Sequence, residues 1–511
     1  MKNALTKIIS RGRLRLALCF ALASLAGAAH AQTAAPRATP PPPSAPRSVA
    51  VPKPVERTLR NGLRVIVIEH HATPLVAAQL LVKNGGEVDP ENLSGLADMT
   101  AELLTKGTKT RTAPQIAQEI DALGGELSSG AGWDASRATV NVLAAKAEPA
   151  MAILADVVRN PVFQDEEIER LRQQYTDNIS VGMNSPGTLA SWVASRVVFG
   201  DTPYGHPVSG TAESIERIKR DDVAALHAKF YRPDNALLVI GGDIKAEDAF
   251  RLAEKSFGDW AASEAALTIK SGVPVKPSAA TSAAGAARAG QRIVVVDMPG
   301  AGQAAVLFAR RGIARTDSDF FTGIVANSVL SGYSGRLNQE IRIKRGLSYG
   351  ARAALDVRRD VGTFVASAQT KNQSGAEVAS LLVGELTRLS NEPVGDAELT
   401  PRKAVLIGGF GRTLETTEGI VGQIASLALY GLNLGEINNY ITNVQAVTAP
   451  QIQKFAGSRL GVADSNIVIV GDAKDFIEPL RKQFPNVEII KRDELDLNTG
   501  SLHKPAQGAT K

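Results

Sequence analysis

The sequence predicts an α+β chain of two tandem homologous domains, each an antiparallel-rich mixed sheet covered by helices on one face. Three observations carry this. At 511 residues, with 44% hydrophobic and 21% charged residues, the chain is too long for one ordinary domain and has ample material for large cores. It also repeats itself. Arg64-Val-Ile-Val-Ile matches Arg292-Ile-Val-Val-Val, and Asp234-Asn-Ala-Leu-Leu-Val-Ile-Gly matches Asp464-Ser-Asn-Ile-Val-Ile-Val-Gly, at spacings of 228 and 230 positions. Two unrelated strand pairs would not share a spacing, and a repeat this long is a whole domain. Finally, strand pairs joined by short turns precede a helical run in each half, the pattern of a sheet with its helices segregated to one face.

The elements follow in chain order. Lys2, Lys7, Arg11, Arg13 and Arg15 precede an apolar run from Leu16 to Ala28, and Ala29-His30-Ala31 ends it with small residues where a signal peptidase reads. Residues 1–31 therefore read as a secretory signal peptide, which places the chain in the periplasm. A membrane anchor would need a longer apolar stretch, and no other segment suits a bilayer span. Residues 32–54, with Pro40–Pro43, read as a Pro/Ala-rich tether.

The first domain is expected over 55–273. Apolar strands at about 63–69 and 75–83 lead to a helix at about 94–106. A second helix has Thr112 as its cap, Pro114 in its first turn and Gly124 at its end. Strands at about 125–132 and 136–144 follow, then three or four helices over 147–230, including a long one from Asp165 through Ile179 with Glu/Arg pairs along it. A strand at about 235–241 runs into a helix from Ala246. Residues 274–290, rich in Ala and Ser, read as a linker. The plan repeats over 291–490, and 491–511 form a polar tail.

Composition excludes several kinds of chemistry. The chain has 57 Lys+Arg against 52 Asp+Glu, and the signal peptide holds five of the basic residues, so the mature chain is formally neutral and shows no footprint for nucleic acid. The single cysteine, Cys19, lies in the signal peptide, which leaves no disulfide, thiolate ligand or Cys nucleophile. His70 and His71 are adjacent, so on a strand they point to opposite faces and make poor co-ligands. His206, in a Tyr-Gly-His-Pro turn, and His227, on a helix, read as structural or surface residues. No P-loop or nucleophile elbow is present.

Several motifs resemble, in order, the landmarks of the pitrilysin-type (inverzincin) metallopeptidases. They are Leu59-Arg-Asn-Gly-Leu-Arg-Val-Ile-Val-Ile-Glu69, Gly95-Leu-Ala, Lys106-Gly-Thr108, Tyr204-Gly-His-Pro…Gly-Thr211 and Leu337-Asn-Gln-Glu-Ile-Arg342-Ile-Lys-Arg-Gly-Leu-Ser-Tyr349. The family includes pitrilysin, insulin-degrading enzyme and the mitochondrial processing peptidase, and two-domain members resemble half of a clamshell. The resemblance implies a zinc held by H-x-x-E-H on the first long helix, with a Glu from a second helix as third ligand. Here the two His positions are Asp98 and Glu102, the general-base position is Ala101, and the third-ligand position falls near Asn178. No zinc is therefore expected in this chain. Asp98 and Glu102 are one helical turn apart, and either stand as solvated carboxylates lining a vacated pocket or weakly hold Mg²⁺ or Ca²⁺.

One element survives. In the family an Arg and a Tyr seven residues apart reach the substrate carbonyl from the far half of the clamshell; Arg342 and Tyr349 match that spacing. Arg offers charge-assisted bonds to an oxyanion and the Tyr hydroxyl a second donor. The structural alternative makes Arg342 a surface cation and Tyr349 a residue packed on the sheet. The resemblance implies the non-zinc subunit of a heterodimeric metallopeptidase, acting on unfolded peptides with a homologous partner that carries an intact H-x-x-E-H and the zinc. An inactive scaffold or peptide-binding protein of the same fold is the alternative, and a self-sufficient hydrolase with an unrecognised site is a third. The exported chain is expected to begin near Gln32, which N-terminal sequencing of periplasmic material checks.

Overall fold

The computed structural model describes residues 50–262 and 291–504. The segments expected to be the signal peptide (1–31) and the linker (274–290), most of the expected tether and the end of the tail lie outside the described residues.

The first half forms strands β1 (Val55–Thr58), β2 (Arg64–Glu69), β3 (Leu75–Val82), β4 (Glu126–Ala131), β5 (Ser136–Leu143) and β6 (Ala236–Gly242). The second forms β7 (Ile293–Asp297), β8 (Ala304–Arg311), β9 (Ala351–Asp356), β10 (Thr363–Thr370), β11 (Asn466–Gly471) and β12 (Val487–Lys491). The sheets run β1-β2-β6-β3-β5-β4 and β12-β7-β11-β8-β10-β9, so five strands of one map in order onto five of the other. The sixth place differs: β1 lies antiparallel to β2, whereas β12 comes from the chain's far end and lies parallel to β7. In each sheet one central pair is parallel, β2 with β6 and β7 with β11, and the β3/β5 and β8/β10 pairs are antiparallel.

The local signals explain the helices. Thr112 accepts from the Gln115 backbone N–H and Gln115 answers with its side chain, a reciprocal cap that starts the helix Ala113–Ala122. The helix expected at 94–106 is shorter, Leu96–Leu103. Gly95 sets its start at φ +94°, and a Cβ there would meet Ser209 and Ile215 at 2.9 Å. Both carboxylate oxygens of Asp89 hold the free N–H groups of Gly95 (2.7 Å) and Ala97 (2.8 Å).

Each half packs its own helices on one face of its sheet, around residues such as Val65, Leu80, Val140 and Ile240 in the first and Val295, Phe308, Phe364 and Ile469 in the second. The opposite faces are exchanged. Ile66, Ile68, Leu81 and Val239 of the first sheet bury against Val421, Ile424 and Ala428 on the helix Thr417–Leu429 of the second half. Val294, Leu307 and Val470 of the second sheet bury against Leu189, Val193 and Val197 on the helix Pro186–Phe199 of the first. Strand β6 is consequently buried at every position, as two-sided cover requires.

Charged groups pin the same junction. The loop from β9 to β10 sends Arg359 into the first half, where it donates to Glu87 (3.1 Å) and to the carbonyls of Lys83 and Asp134 (2.8 Å each). Buried Asp134 accepts from the Arg359 backbone N–H (2.8 Å) and from the hydroxyls of Tyr204 and Tyr430. Both flanks join this packing. Val51, at the end of the tether, exchanges two backbone bonds with the Asn438 side chain, and Leu495, Leu497 and Leu502 of the tail are buried beneath the second sheet.

All three tryptophans, Trp133, Trp192 and Trp260, belong to the first half, so their fluorescence reports on it. Ile424→Ala, a change in the second half, is expected to cost about 2–5 kcal/mol and to lower the midpoint of the fluorescence-detected unfolding of the first.

Candidate functional site

The helix Leu96–Leu103 buries Leu96, Met99 and Leu103 in the first core and turns Asp98 and Glu102 the other way. These two carboxylates line a cavity of about 350 Å³ with Asn178 and Tyr175, which sit one turn apart on the helix Asp165–Met183. Lys106 and Trp192 are also among its lining residues. The fold thus brings together three of the four positions singled out in the first half. The fourth, Ala101, is fully buried and presents a methyl group.

Asp98 is already engaged. The Tyr175 hydroxyl donates to its Oδ2 at 2.8 Å and the Ala131 backbone N–H, at the end of β4, donates to its Oδ1 at 3.3 Å. Burial raises the Asp98 pKa above its ordinary value of 3.8, against the pull of those two donors. Burial also raises Glu102, and the charge of Asp98 adds to the effect. The Glu102 carboxylate has no hydrogen-bond partner among the described residues, and the Lys106 ammonium beside it opposes a bound cation.

The donor set does not fit zinc. It offers no imidazole or thiolate, one carboxylate committed to two donors, a neutral amide at the third position and no base to activate water. Among the described residues no group of three or more His, Cys, Asp or Glu side chains is placed to hold a metal ion.

Arg342 and Tyr349 are not among the residues of this cavity. A short helical turn, Arg336–Asn338, continues as a π-helical stretch, Gln339–Lys344, that carries Arg342. Arg336 anchors the turn by a bidentate pair to Glu398 at 2.8 Å. Of the cations that follow, Lys344 and Arg345 are bound to Glu340, and Arg345 also reaches Glu377. The Arg342 guanidinium has no carboxylate partner among the described residues; its contact is the ring of Tyr333, 5.3 Å from Cζ to centroid. Tyr349 is 90% exposed, so it is not packed on the sheet. The loop behind it is fixed by Gly346, at φ +64°, and by the Thr370 hydroxyl, which donates to the Leu347 carbonyl at 2.6 Å.

The sequence matches two family models, insulinase (peptidase family M16) over residues 64–211 and the peptidase M16 inactive domain over 217–406. The chain belongs to the pitrilysin-type metallopeptidase family. An uncharacterized zinc protease of Mycobacterium leprae is 28% identical over 401 residues, 78% of this chain and 87% of that one. Another, from Bacillus subtilis, is 22% identical over 400 residues, 78% of this chain and 94% of the relative. Among solved structures, the M16 inactive domain from Pseudomonas fluorescens superposes with a TM-score of 0.74 at 25% identity, covering 82% of this chain and 98% of that one. The periplasmic protease PqqL of Escherichia coli shares the fold at a TM-score of 0.65 and 15% identity, over 86% of this chain and 51% of PqqL.

Tyr175 and Tyr333 were not singled out by the sequence. Tyr175 stands three residues before Asn178, and Tyr333 lies between two glycines just before the Arg342 turn, which are the only local signals.

Two outcomes follow. Metal analysis of the purified mature chain is expected to return far less than one zinc per chain. Asp98→Asn is expected to raise stability at pH 7. Below pH 3.8 Asp98 is protonated folded or unfolded and costs nothing. Between 3.8 and its elevated folded value the unfolded chain ionises while the native state holds the proton, so the cost builds with pH, and above the folded value it is complete. The advantage of Asp98→Asn should therefore shrink as urea titrations are carried from pH 7 toward pH 4.

Proposed function

We propose that this chain is the non-zinc subunit of a periplasmic heterodimeric zinc metallopeptidase, supplying Arg342 and Tyr349 and one wall of the chamber to a zinc-bearing partner. The observation that carries this reading is the contrast between the two halves. The first half holds a cavity whose donors do not suit zinc, while the second presents a guanidinium with no carboxylate partner among the described residues and a solvent-exposed phenol at the spacing the family uses on the substrate carbonyl. A cation left without a carboxylate is free to meet negative charge from outside the chain.

In this reading Arg342 and Tyr349 donate to the scissile carbonyl oxygen as it gains negative charge, and they need no reorganisation to do so. The partner is a homologous subunit with an intact H-x-x-E-H, and it supplies the metal and the activated water. The substrates are unfolded peptides. Export follows from the amino-terminal signal, and the described residues contain no helix long and apolar enough to cross a membrane.

A second reading, a non-enzymatic scaffold or peptide-binding protein, is favoured by the free edge of β4. That edge strand runs past Asp98 and Glu102 and could pair with an extended peptide without any chemistry.

The two readings part on one experiment. With the zinc-bearing subunit present, Arg342→Ala or Tyr349→Phe is expected to lower kcat by about a hundred- to a thousandfold, the loss of ~2.7–4 kcal/mol typical of one such donor. Melting temperature and complex formation should hold. Normal turnover in an intact complex would favour the scaffold, and loss of the complex would place both residues in the interface.

A further inference from the structure

We infer that Tyr333 is a positioning residue for Arg342, holding its guanidinium in place through the face of the ring. This rests on the reading of Arg342 as a donor to the substrate carbonyl.

Tyr333 is 73% exposed, so it contributes little to any core. The loop that carries it is nevertheless closely built. Gly332 takes a φ of +88°, and a Cβ on Gly335 would lie 2.2 Å from the Ser331 carbonyl oxygen, so both positions require glycine. Arg402, itself buried, donates to the Ser331 carbonyl and to the Ser334 hydroxyl. The backbone of Tyr333 is thereby fixed while its ring stands in water.

Buried Asn338 ties this loop to the two donors. Its Nδ2 donates to the Tyr333 carbonyl at 2.6 Å, and its Oδ1 accepts from the Ala351 N–H at 3.4 Å, two residues beyond Tyr349. Asn338 is also the last residue of the turn that leads into the π-helical stretch bearing Arg342. One buried amide thus joins the segments carrying Tyr333, Arg342 and Tyr349.

A long arginine with no carboxylate partner has many rotamers. An aromatic face 5.3 Å from Cζ restricts them by cation–π attraction and leaves the N–H edge free to donate. A carboxylate in its place would restrain the guanidinium too, but would occupy its donors and cancel its charge. Tyr333 gives restraint without neutralisation.

The test pairs two readouts. In the isolated full-length chain, the Arg342 δ-protons, assigned by their absence in Arg342→Ala, are expected to be shifted upfield by the ring. The shift should persist in Tyr333→Phe and vanish in Tyr333→Leu. In the heterodimer, acting on a quenched fluorescent peptide, Tyr333→Leu is expected to lower kcat about two- to fivefold, the rate equivalent of an exposed cation–π contact, with KM and melting temperature little changed. Tyr333→Phe should restore the rate, and Tyr333→Leu should have no further effect once Arg342 is Ala. If Arg342→Ala slows turnover but Tyr333→Leu does not, or if Tyr333→Leu acts equally in the Arg342→Ala background, the positioning role is overturned while the donor role stands. If Arg342→Ala leaves turnover intact, the donor role falls and the positioning role with it.

Discussion

Each six-stranded sheet has a second apolar face that its own helices do not cover, and each is closed by a helix lent from the other half. Ile66, Ile68 and Val239 meet Val421 and Ile424 on one side of this exchange, and Leu307 and Val470 meet Leu189 and Val193 on the other. Burying each such side chain is worth ~1.5–3 kcal/mol, so the exchange outweighs any single polar contact at the junction. It also fixes the chemistry-bearing segments relative to one another. The helix Pro186–Phe199, which covers the second sheet, follows directly on the helix Asp165–Met183 that carries Tyr175 and Asn178. The Arg359–Asp134–Glu87 cluster sits on this apolar seam, where the low surrounding polarity strengthens its bonds and sets the register of the two halves.

Much of this was legible in the sequence. The common spacing of the Arg64/Arg292 and Asp234/Asp464 strands announces the duplication, because buried central strands keep runs of β-branched residues that survive divergence elsewhere. The Thr112-Ala-Pro114 start was readable because a cap is a local device. Contacts made only by the tertiary fold were not. β1 is exposed at all four positions, so it has no apolar alternation to betray it. Three leucines dock a tail whose composition is polar. The second cover of each sheet comes from a helix in the other half of the chain, far from the strands it buries and beyond the reach of any periodicity argument.

The candidate site divides in the same way. That Asp98 and Glu102 share a face follows from helical spacing, whereas their meeting with Asn178 came from the family resemblance and the fold brings it about. The hydrogen bond from Tyr175 to Asp98 was illegible because the two helices are far apart in sequence. The cavity itself is lined by a hydrogen-bonded carboxyl, a second carboxylate and an amide, with the buried methyl of Ala101 on the same helix, a set without imidazole or thiolate. The second half shows the opposite state, with Lys344 and Arg345 neutralised by Glu340 and Arg342 left open.

The exchanged helices also bear on how the chain reaches its native state as it is synthesised. A polypeptide made amino-terminus first delivers β2, β3 and β6 long before the helix Thr417–Leu429 arrives. Throughout that interval the faces of Ile66, Ile68, Leu81 and Val239 have no cover, and β4 is an edge strand of the same sheet. Such a species is sticky by the same physics that later closes it. The first half must therefore wait, held by a chaperone or only loosely collapsed, until the carboxyl-terminal part has emerged, and a chain broken off before residue 417 would be a substrate for quality control rather than a smaller working domain.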